Sequence, residues 1–243
     1  MKRFILFTVL ILMFSIAVYP SKLEFTFGGG FNTYKLRDLR DNYEYANNDW
    51  EAEEDVQVDY FNENMSGKSY LYEIHYRFSP KLRVGIGYSR MLYKNHAEHE
   101  YYSVLYEVDV YQEYNDKIKY NLFYLSAKYN VHRALYAGLR IGWGTAGFND
   151  NISQYFDQTY IPLGHSHQEF NTNGFLFSPS VGTELKVWKC FNIGAEAGYR
   201  YLDMNDVDHF YPNQILWFDG WEGAWIDLDS SGFFLNLFVI FKI

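Results

Sequence analysis

The chain has 243 residues, a formal net charge of −9 at pH 7 and one cysteine. The acidic balance argues against a nucleic-acid partner, because nucleic-acid binding requires a basic surface, and a single cysteine excludes an intramolecular disulfide. The 24 Tyr, 21 Phe and 6 Trp bring the aromatic content to 21%, which suits a membrane protein with interfacial aromatic girdles better than a soluble domain.

The first 21 residues are predicted to be a secretory signal peptide, cleaved within Ala17–Ser21. Lys2 and Arg3 precede an apolar run that ends at Val18, the order of charge and hydropathy found in export signals. A membrane-anchoring helix is the alternative, but the run is shorter than the ~20 residues that a spanning helix needs. Loss of the two positive charges of Lys2 and Arg3 takes the net charge from −9 to −11 in the mature chain, residues 22–243.

Eight stretches of alternating apolar and polar residues follow in the mature chain. Alternation with a period of two predicts β-strands, whose successive side chains point to opposite faces of a sheet. The predicted strands are Leu23–Tyr34, Ser69–Phe78, Leu82–Met91, Lys117–Val131, Leu135–Gly144, Gly174–Trp188, Phe191–Tyr201 and Gly232–Ile243.

The connections between the predicted strands alternate in length. The short turns are Ser79-Pro80-Lys81, His132-Arg133-Ala134 and Lys189-Cys190, and the long acidic, aromatic loops cover roughly Lys35–Lys68, Leu92–Asp116, Gly147–Asn173 and Leu202–Ser231. This asymmetry is typical of an all-β fold, the eight-stranded antiparallel transmembrane up-and-down β-barrel, with short periplasmic turns and long extracellular loops. We expect residues 22–243 to form one such barrel, with both termini at the periplasmic end.

The two faces of each predicted strand differ in chemistry. In the third strand Val84 and Ile86 share one face, while Arg83, Gly85 and Gly87 share the other. A soluble barrel of lipocalin type would place the apolar face inside. Glycine weakens a solvated strand, but it makes room for long charged side chains in the narrow interior of an eight-stranded barrel. We therefore predict that the glycine-and-charge face lines the lumen and that the apolar face meets lipid.

These features resemble the small eight-stranded outer-membrane proteins, a family that includes the OmpA transmembrane domain, OmpX and OmpW. The resemblance covers the whole mature chain and is architectural. Leu237, Val239 and Phe241 alternate as in the terminal signal read by the barrel-assembly machinery, although that signal usually ends on an aromatic residue and this chain ends on Ile243. The resemblance implies a monomer in the bacterial outer membrane, with membrane lipid, lipopolysaccharide and the assembly machinery as partners.

Charges of both signs lie on the predicted inward face, as a narrow lumen requires, because buried charges must be paired. Arg140, Glu184 and Glu196 are each a similar distance from a short turn, on three consecutive strands. We expect Arg140 to contact Glu184 across neighbouring strands, with Glu196 close by. We favour a structural role for these ion pairs, in which they plug the lumen, over a role as a gate that opens it.

The predicted extracellular loops are the most suggestive functional region. The last loop contains Trp217, Trp221 and Trp225 among acidic residues, and so much apolar surface favours contact with the membrane rim or a partner. Tyr101–Tyr111 in the second loop alternates and predicts a hairpin that extends the third and fourth strands. Exposed strand edges of this kind can recruit partners by β-augmentation, so an extracellular protein or glycan ligand is expected.

Metal and catalytic motifs are weak. His96–His99 and His165–His167 lack the HExxH zinc pattern, and the acidic run Asp203–Asp208 lacks the glycine and terminal glutamate of an EF-hand, so we predict no metal and no cofactor. A lipid A deacylase needs a His and a Ser close together on a lipid-facing strand, whereas His165 and Ser166 are adjacent and would point to opposite sides. We predict no enzyme.

The sequence thus favours an envelope structural or surface-interaction role carried by the extracellular loops. A narrow channel, or a lateral path for small apolar molecules as proposed for OmpW-like proteins, is the alternative. A lipid A-modifying enzyme is the third hypothesis.

Overall fold

The computed structural model describes residues 22–34, 58–59, 66–103, 108–156, 161–204 and 230–243. Eight long strands account for most of them. The strands are β1 (Leu23–Thr33), β2 (Ser66–Arg77), β3 (Leu82–Ser103), β4 (Val108–Asn130), β5 (Leu135–Phe156), β6 (Ile161–Lys186), β7 (Phe191–Met204) and β8 (Gly232–Lys242).

The eight strands form a closed antiparallel barrel. Each strand pairs with the next along the chain, and β1 pairs with β8 through contacts such as Phe25 opposite Phe241. Closure satisfies the backbone hydrogen bonds of both terminal strands, which is the condition for a sheet to exist in lipid. The predicted fold class is confirmed. Among the described residues, no helix has the length and hydropathy needed to cross a bilayer.

Three tight turns connect strands at the end of the barrel that also holds Lys22 and Ile243. The backbone N–H of Val131 donates to the carbonyl of Leu135 over 3.0 Å, and that of Val187 donates to Phe191 over 3.1 Å. Ser79 Oγ accepts a hydrogen bond from the backbone N–H of Leu82 over 3.0 Å. These turns match the short connections predicted from the sequence.

Four strands are much longer than the sequence pattern suggested. β3 to β6 have 22, 23, 22 and 26 residues, whereas β1, β2, β7 and β8 have 11, 12, 14 and 11. The prediction that Leu92–Asp116 and Gly147–Asn173 are long loops is therefore wrong, because most of both segments is strand. We call the projecting part of β3 to β6 the outer extension. It begins at a row of residues paired across the four strands, Leu92, Lys119, Gly147 and Asn171, named here the boundary row.

The faces of the barrel follow the predicted parity. In β3, the Ile86 side chain is 59% exposed on the outside, whereas Arg83 is 2% exposed in the lumen. Outward apolar side chains surround the barrel below the boundary row, and the polar set is buried inside it. This distribution excludes a soluble barrel with an apolar interior.

Glycines make room for large side chains in the lumen. A Cβ atom at Gly182 would overlap the Tyr136 ring, and one at Gly87 would overlap the Tyr124 ring. Both tyrosines are buried next to charged groups. The glycine-rich inward face is thus a packing requirement of a filled lumen.

Candidate functional site

The lumen is filled by layers of side chains, and the first lies next to the short turns. Its members, which we call the turn-end layer, are Glu24, Arg77, Arg83 and Glu184. Arg83 Nη1 lies 3.0 Å from Glu24 Oε2 and 2.6 Å from Glu184 Oε1, and Arg77 contacts the other oxygen of Glu24. Arg83 Nη2 also donates to Asn130 Oδ1 over 2.9 Å. One arginine therefore joins carboxylates from β1 and β6 across the barrel.

The second layer is centred on Glu73 of β2, which is 2% exposed. Lys128 Nζ and Arg140 Nε each lie 2.7 Å from a different oxygen of this carboxylate, and the Tyr124 hydroxyl lies 3.3 Å away. These bonds cross the lumen from β4 and β5 to β2. Charged groups this deeply buried are stable only when they are paired and hydrogen-bonded.

A second carboxylate completes this layer. Arg140 Nη1 lies 2.6 Å from Glu196 Oε1, and the Tyr136 hydroxyl donates to Glu196 Oε2 over 2.8 Å. Glu73, Lys128, Arg140 and Glu196 together form what we call the central layer, with two positive and two negative charges. The central layer thus joins β2, β4, β5 and β7 across the lumen.

The expected contact between Arg140 and Glu184 is wrong. The β5–β6 register places Arg140 opposite Ser178 and Leu135 opposite Thr183. Glu184 is therefore beside the turn, six positions along β6 from the level of Arg140, and it pairs with Arg83 instead. Counting residues from a turn ignores the stagger between neighbouring strands, which the tilt of a barrel requires.

Sequence reasoning did not identify Glu73 as the hub of the central layer. Glu73 and Arg140 belong to β2 and β5, which are not neighbours in the sheet. Their contact depends on the narrow diameter of an eight-stranded barrel. The available signal was the alternation of Glu73, His75 and Arg77 on one face of one strand.

Above the central layer, Arg200 of β7 is 4% exposed. Its Nη1 donates to Asn32 Oδ1 over 2.8 Å and its Nε donates to the carbonyl of Ser230 over 3.1 Å. The guanidinium lies 5.5 Å from the centre of the Tyr34 ring. Unlike Arg83 and Arg140, Arg200 has no carboxylate partner among the described residues.

An aromatic layer lies at the outer end of the lumen. The rings of Tyr93 and Tyr120 are each 5.9 Å from that of Tyr34, and Leu202 is fully buried beside them. We call Tyr34, Tyr93, Tyr120 and Leu202 the outer cap. Between the outer cap and the central layer is a cavity of about 30 Å³, the space of two or three water molecules.

A closed barrel with an apolar outer belt and a charged, filled interior has the architecture of proteins that span the outer membrane with strands. A family model described as the outer membrane protein β-barrel domain matches residues 6–222. The chain belongs to this family. The protein is therefore a barrel of the bacterial outer membrane, as predicted.

Solved structures of outer-membrane proteins are similar to this barrel. Ail, the attachment invasion locus protein of Yersinia pestis, is 8% identical over 93% of this chain and 100% of its own, with a TM-score of 0.43. OprG from Pseudomonas aeruginosa is 10% identical over 92% and 97%, with a TM-score of 0.40. The outer membrane protease OmpT from Escherichia coli is 8% identical over 92% and 97%, with a TM-score of 0.34. No curated protein sequence matches the chain.

The predicted loop sites of this outer-membrane barrel are only partly described. Trp217, Trp221 and Trp225 lie outside the described residues, as does the predicted signal peptide. Leu237, Val239 and Phe241, which are predicted to form the assembly signal, are on β8, where Leu237 is 65% and Phe241 43% exposed on the outer face.

The histidines of the outer extension contact polar neighbours on the outer surface of the barrel. His96 Nε2 lies 3.1 Å from Glu98 Oε1 and His96 Nδ1 lies 3.1 Å from Asn115 Oδ1. Partial burial lowers the pKa of His96, but these two hydrogen bonds outweigh it and raise the pKa above its ordinary value. His165 Nδ1 lies 3.2 Å from Ser153 Oγ. No group of three His, Cys, Asp or Glu side chains suited to a metal occurs in the part of the chain that the structure describes.

Proposed function

We propose that this outer-membrane barrel has an envelope structural or surface-interaction role, carried by the part of the chain beyond the boundary row. The observation that carries the proposal is the outer extension of β3 to β6, which continues about eleven residues past the boundary row on β3. The lumen beneath it is filled by two ion-paired layers and the outer cap, which supports an external role over transport. Binding residues are frequently presented on the outer parts of a rigid scaffold.

The outer extension has the alternation of a folded surface sheet. Ala97 and Ile118 are fully buried on its inner face, while Lys94 and His96 are exposed on its outer face. Pairing across four strands fixes the positions of these outward polar side chains. Such a surface can recognise a ligand without first being ordered, which avoids the entropic cost of folding on binding.

Among the expected partners, lipopolysaccharide is the one that the outward-facing side chains favour most. Five basic side chains face outward on β2, β3 and β4. Each is either level with the boundary row or two residues away from it along its strand. Three of them are exposed and two are partly exposed, and none forms an ion pair with a described carboxylate. These residues, named the basic patch, are Lys68, Arg90, Lys94, Lys117 and Lys119.

The position of the basic patch matches the headgroup level of the membrane. Tyr70 and Phe123, with 50% and 59% of their surface exposed, lie directly below it on the lipid-facing side of β2 and β4. Aromatic side chains mark the interface of outer-membrane barrels, and cations just above them would meet lipid phosphates. Charge-assisted hydrogen bonds from Lys and Arg to phosphate are the strong class of polar contact.

The experiment compares two triple variants refolded in phosphatidylcholine vesicles with and without lipopolysaccharide. The patch variant carries Lys94→Gln, Lys117→Gln and Lys119→Gln, and the matched control removes one cation from each short turn with Lys81→Gln, Arg133→Gln and Lys189→Gln. We expect lipopolysaccharide to raise the thermal unfolding midpoint of the parent and control, and to have a much smaller effect on the patch variant. An equal rise in all three proteins, or an equal rise with dephosphorylated lipopolysaccharide, would rule out the patch as a phosphate site.

We propose no enzymatic activity. Ser153 and His165 are in contact on the outer extension, but His165 has no carboxylate partner among the described residues to orient it as a base. Mass spectrometry of lipid A from cells that express the protein should show the acylation pattern of cells with an empty vector. A changed acyl count would support the enzyme hypothesis instead.

A further inference from the structure

Two buried arginines lie at one level of the lumen with a single serine between them. Arg140 of β5 is opposite Ser178 of β6. The β6–β7 register runs from Phe177 opposite Tyr201 to Ser180 opposite Gly198, which places Arg200 opposite the same serine. Adjacent strands are about 4.8 Å apart, so the two arginine backbones, which lie on either side of β6, are separated by roughly 10 Å. Arg140 is already paired with Glu73 and Glu196, whereas Arg200 has no carboxylate partner among the described residues.

Hydrogen-bond donors without acceptors surround the cavity above the central layer. Arg140 Nη2, Arg200 Nη2 and Asn32 Nδ2 are buried and have no acceptor among the described residues, and all three residues line the cavity. A guanidinium has only donors and stays charged at any pH that proteins tolerate. Ser69 Oγ donates to Asn236 and Ser89 Oγ donates to the Tyr70 carbonyl, so these hydroxyls can still accept. The lining contains two arginines and no carboxylate, and it therefore offers neutral acceptors but no negative charge.

The buried charge at this level is also unbalanced. The two carboxylates of the central layer offset Lys128 and Arg140, which leaves the positive charge of Arg200 without a described counter-charge. An uncompensated buried ion is strongly destabilising. One negative charge between the two arginines would accept from the unpaired donors and correct the imbalance.

We infer that the cavity binds one small monovalent anion of halide size, which is chloride in ordinary salt. The volume of about 30 Å³ is enough for a monatomic ion. Arg140, Arg200 and Asn32 donate to the ion, and the outer cap separates it from the outer extension. Water in the same place would accept hydrogen bonds but would leave the charge of Arg200 unbalanced. The ion is a structural counter-charge that completes the closed lumen, and it is independent of the ligand proposed for the basic patch.

The first test measures thermal unfolding of the refolded protein in a neutral detergent, in sodium chloride, bromide or gluconate at constant ionic strength and pH. Gluconate carries the same charge but is much larger than a halide ion. We expect the midpoint to rise by about 5 °C as chloride or bromide approaches saturation and to stay constant in gluconate. Equal midpoints in all three salts would overturn the proposal, as would a bromide-soaked crystal with no anomalous peak beside Arg140 and Arg200.

Two variants with a control locate the effect. Arg200→Gln removes the excess charge, so its midpoint should no longer depend on chloride, whereas Arg133→Gln in a short turn should behave like the parent. Ser178→Asp places a carboxylate between the two arginines, and it should be at least as stable as the parent in gluconate and insensitive to chloride. A Ser178→Asp protein that fails to fold, or that keeps the full response to chloride, contradicts a bound anion at this place.

Discussion

The outer extension continues four of the eight strands of the barrel below the boundary row, yet the chemistry of their two faces is inverted above the row. Below the row, β5 presents Ile141 to the outside and Arg140 to the lumen; above it, the same strand presents Asn149 outside and buries Phe148 and Ile152 inside. The backbone alternation does not change at the row. The surroundings of the outer face do change: it meets lipid below the row and water above it.

This inversion indicates where the membrane ends. A side chain on the outer face must suit hydrocarbon below the boundary row and water above it. The inner face carries the ion-paired layers in the first region, and in the second it buries apolar residues such as Phe148 together with polar ones such as Gln112 and Asp116. The two regions therefore rely on different forces. The barrel interior depends on paired buried charges, whereas the outer extension depends on burial of apolar side chains.

The largest expected effect follows from breaking the central layer. Glu73→Gln removes the carboxylate shared by Lys128 and Arg140, so we expect it to lower the free energy of unfolding by about 3–5 kcal/mol. Urea unfolding of the refolded protein would measure this. In the outer extension, Glu98→Gln breaks an exposed pair with His96 and should cost less than about 1 kcal/mol. Equal decreases in the free energy of unfolding for the two variants would contradict the claim that the two regions rely on different forces.

A lysine scan along one face of β5 tests the position of the boundary row. Ile141→Lys places a charge near the middle of the apolar belt, where it should cost about 2–4 kcal/mol in a bilayer. Asn149→Lys lies on the same face above the row and should cost close to nothing. The comparison is made by reversible unfolding in phosphatidylcholine vesicles. Similar costs at the two positions would mean that the inversion does not mark the edge of the membrane.

The smallest effect concerns the pH dependence of the outer extension. Because the pKa of His96 is raised in the folded protein, the stabilisation from its contact with Glu98 is fully present below the unfolded pKa near 6.5. It is lost as pH rises through the higher folded value. Amide hydrogen exchange in β3 and β4 should thus show slightly greater protection at pH 6 than at pH 8 after correction for intrinsic exchange. In His96→Gln this difference should vanish, and its persistence would assign it to another group.

Much of this architecture could be predicted from the sequence, because alternation and turn length are local properties. Faces such as Ile86 outside and Arg83 inside follow from parity alone. The hairpin over Tyr101–Tyr111 was the only part of the outer extension that was predicted, and its described residues pair across β3 and β4. The rest was assigned to loops because polar outward residues such as Lys94 and Asn149 resemble a loop, although the inward alternation through Ala97 continues. A strand that passes from lipid into water keeps its period while the hydropathy of its faces changes.

The contacts within the lumen could not be predicted in the same way. The hub at Glu73 joins strands that are not adjacent, and the pairing of Glu184 with Arg83 depends on strand stagger. Both are set by barrel diameter and tilt, which no local pattern encodes. The sequence predicted that charged side chains line the lumen, but it did not predict which of them pair with each other.

The central claim is that the lumen is closed and that the protein acts at its outer surface. Planar-bilayer recording from the purified, refolded protein tests this most directly, since two ion-paired layers and the outer cap lie across the lumen. We predict no discrete conductance above that of the protein-free bilayer. Reproducible unit conductances that scale with the amount of inserted protein would contradict the closed lumen and support the narrow-channel alternative.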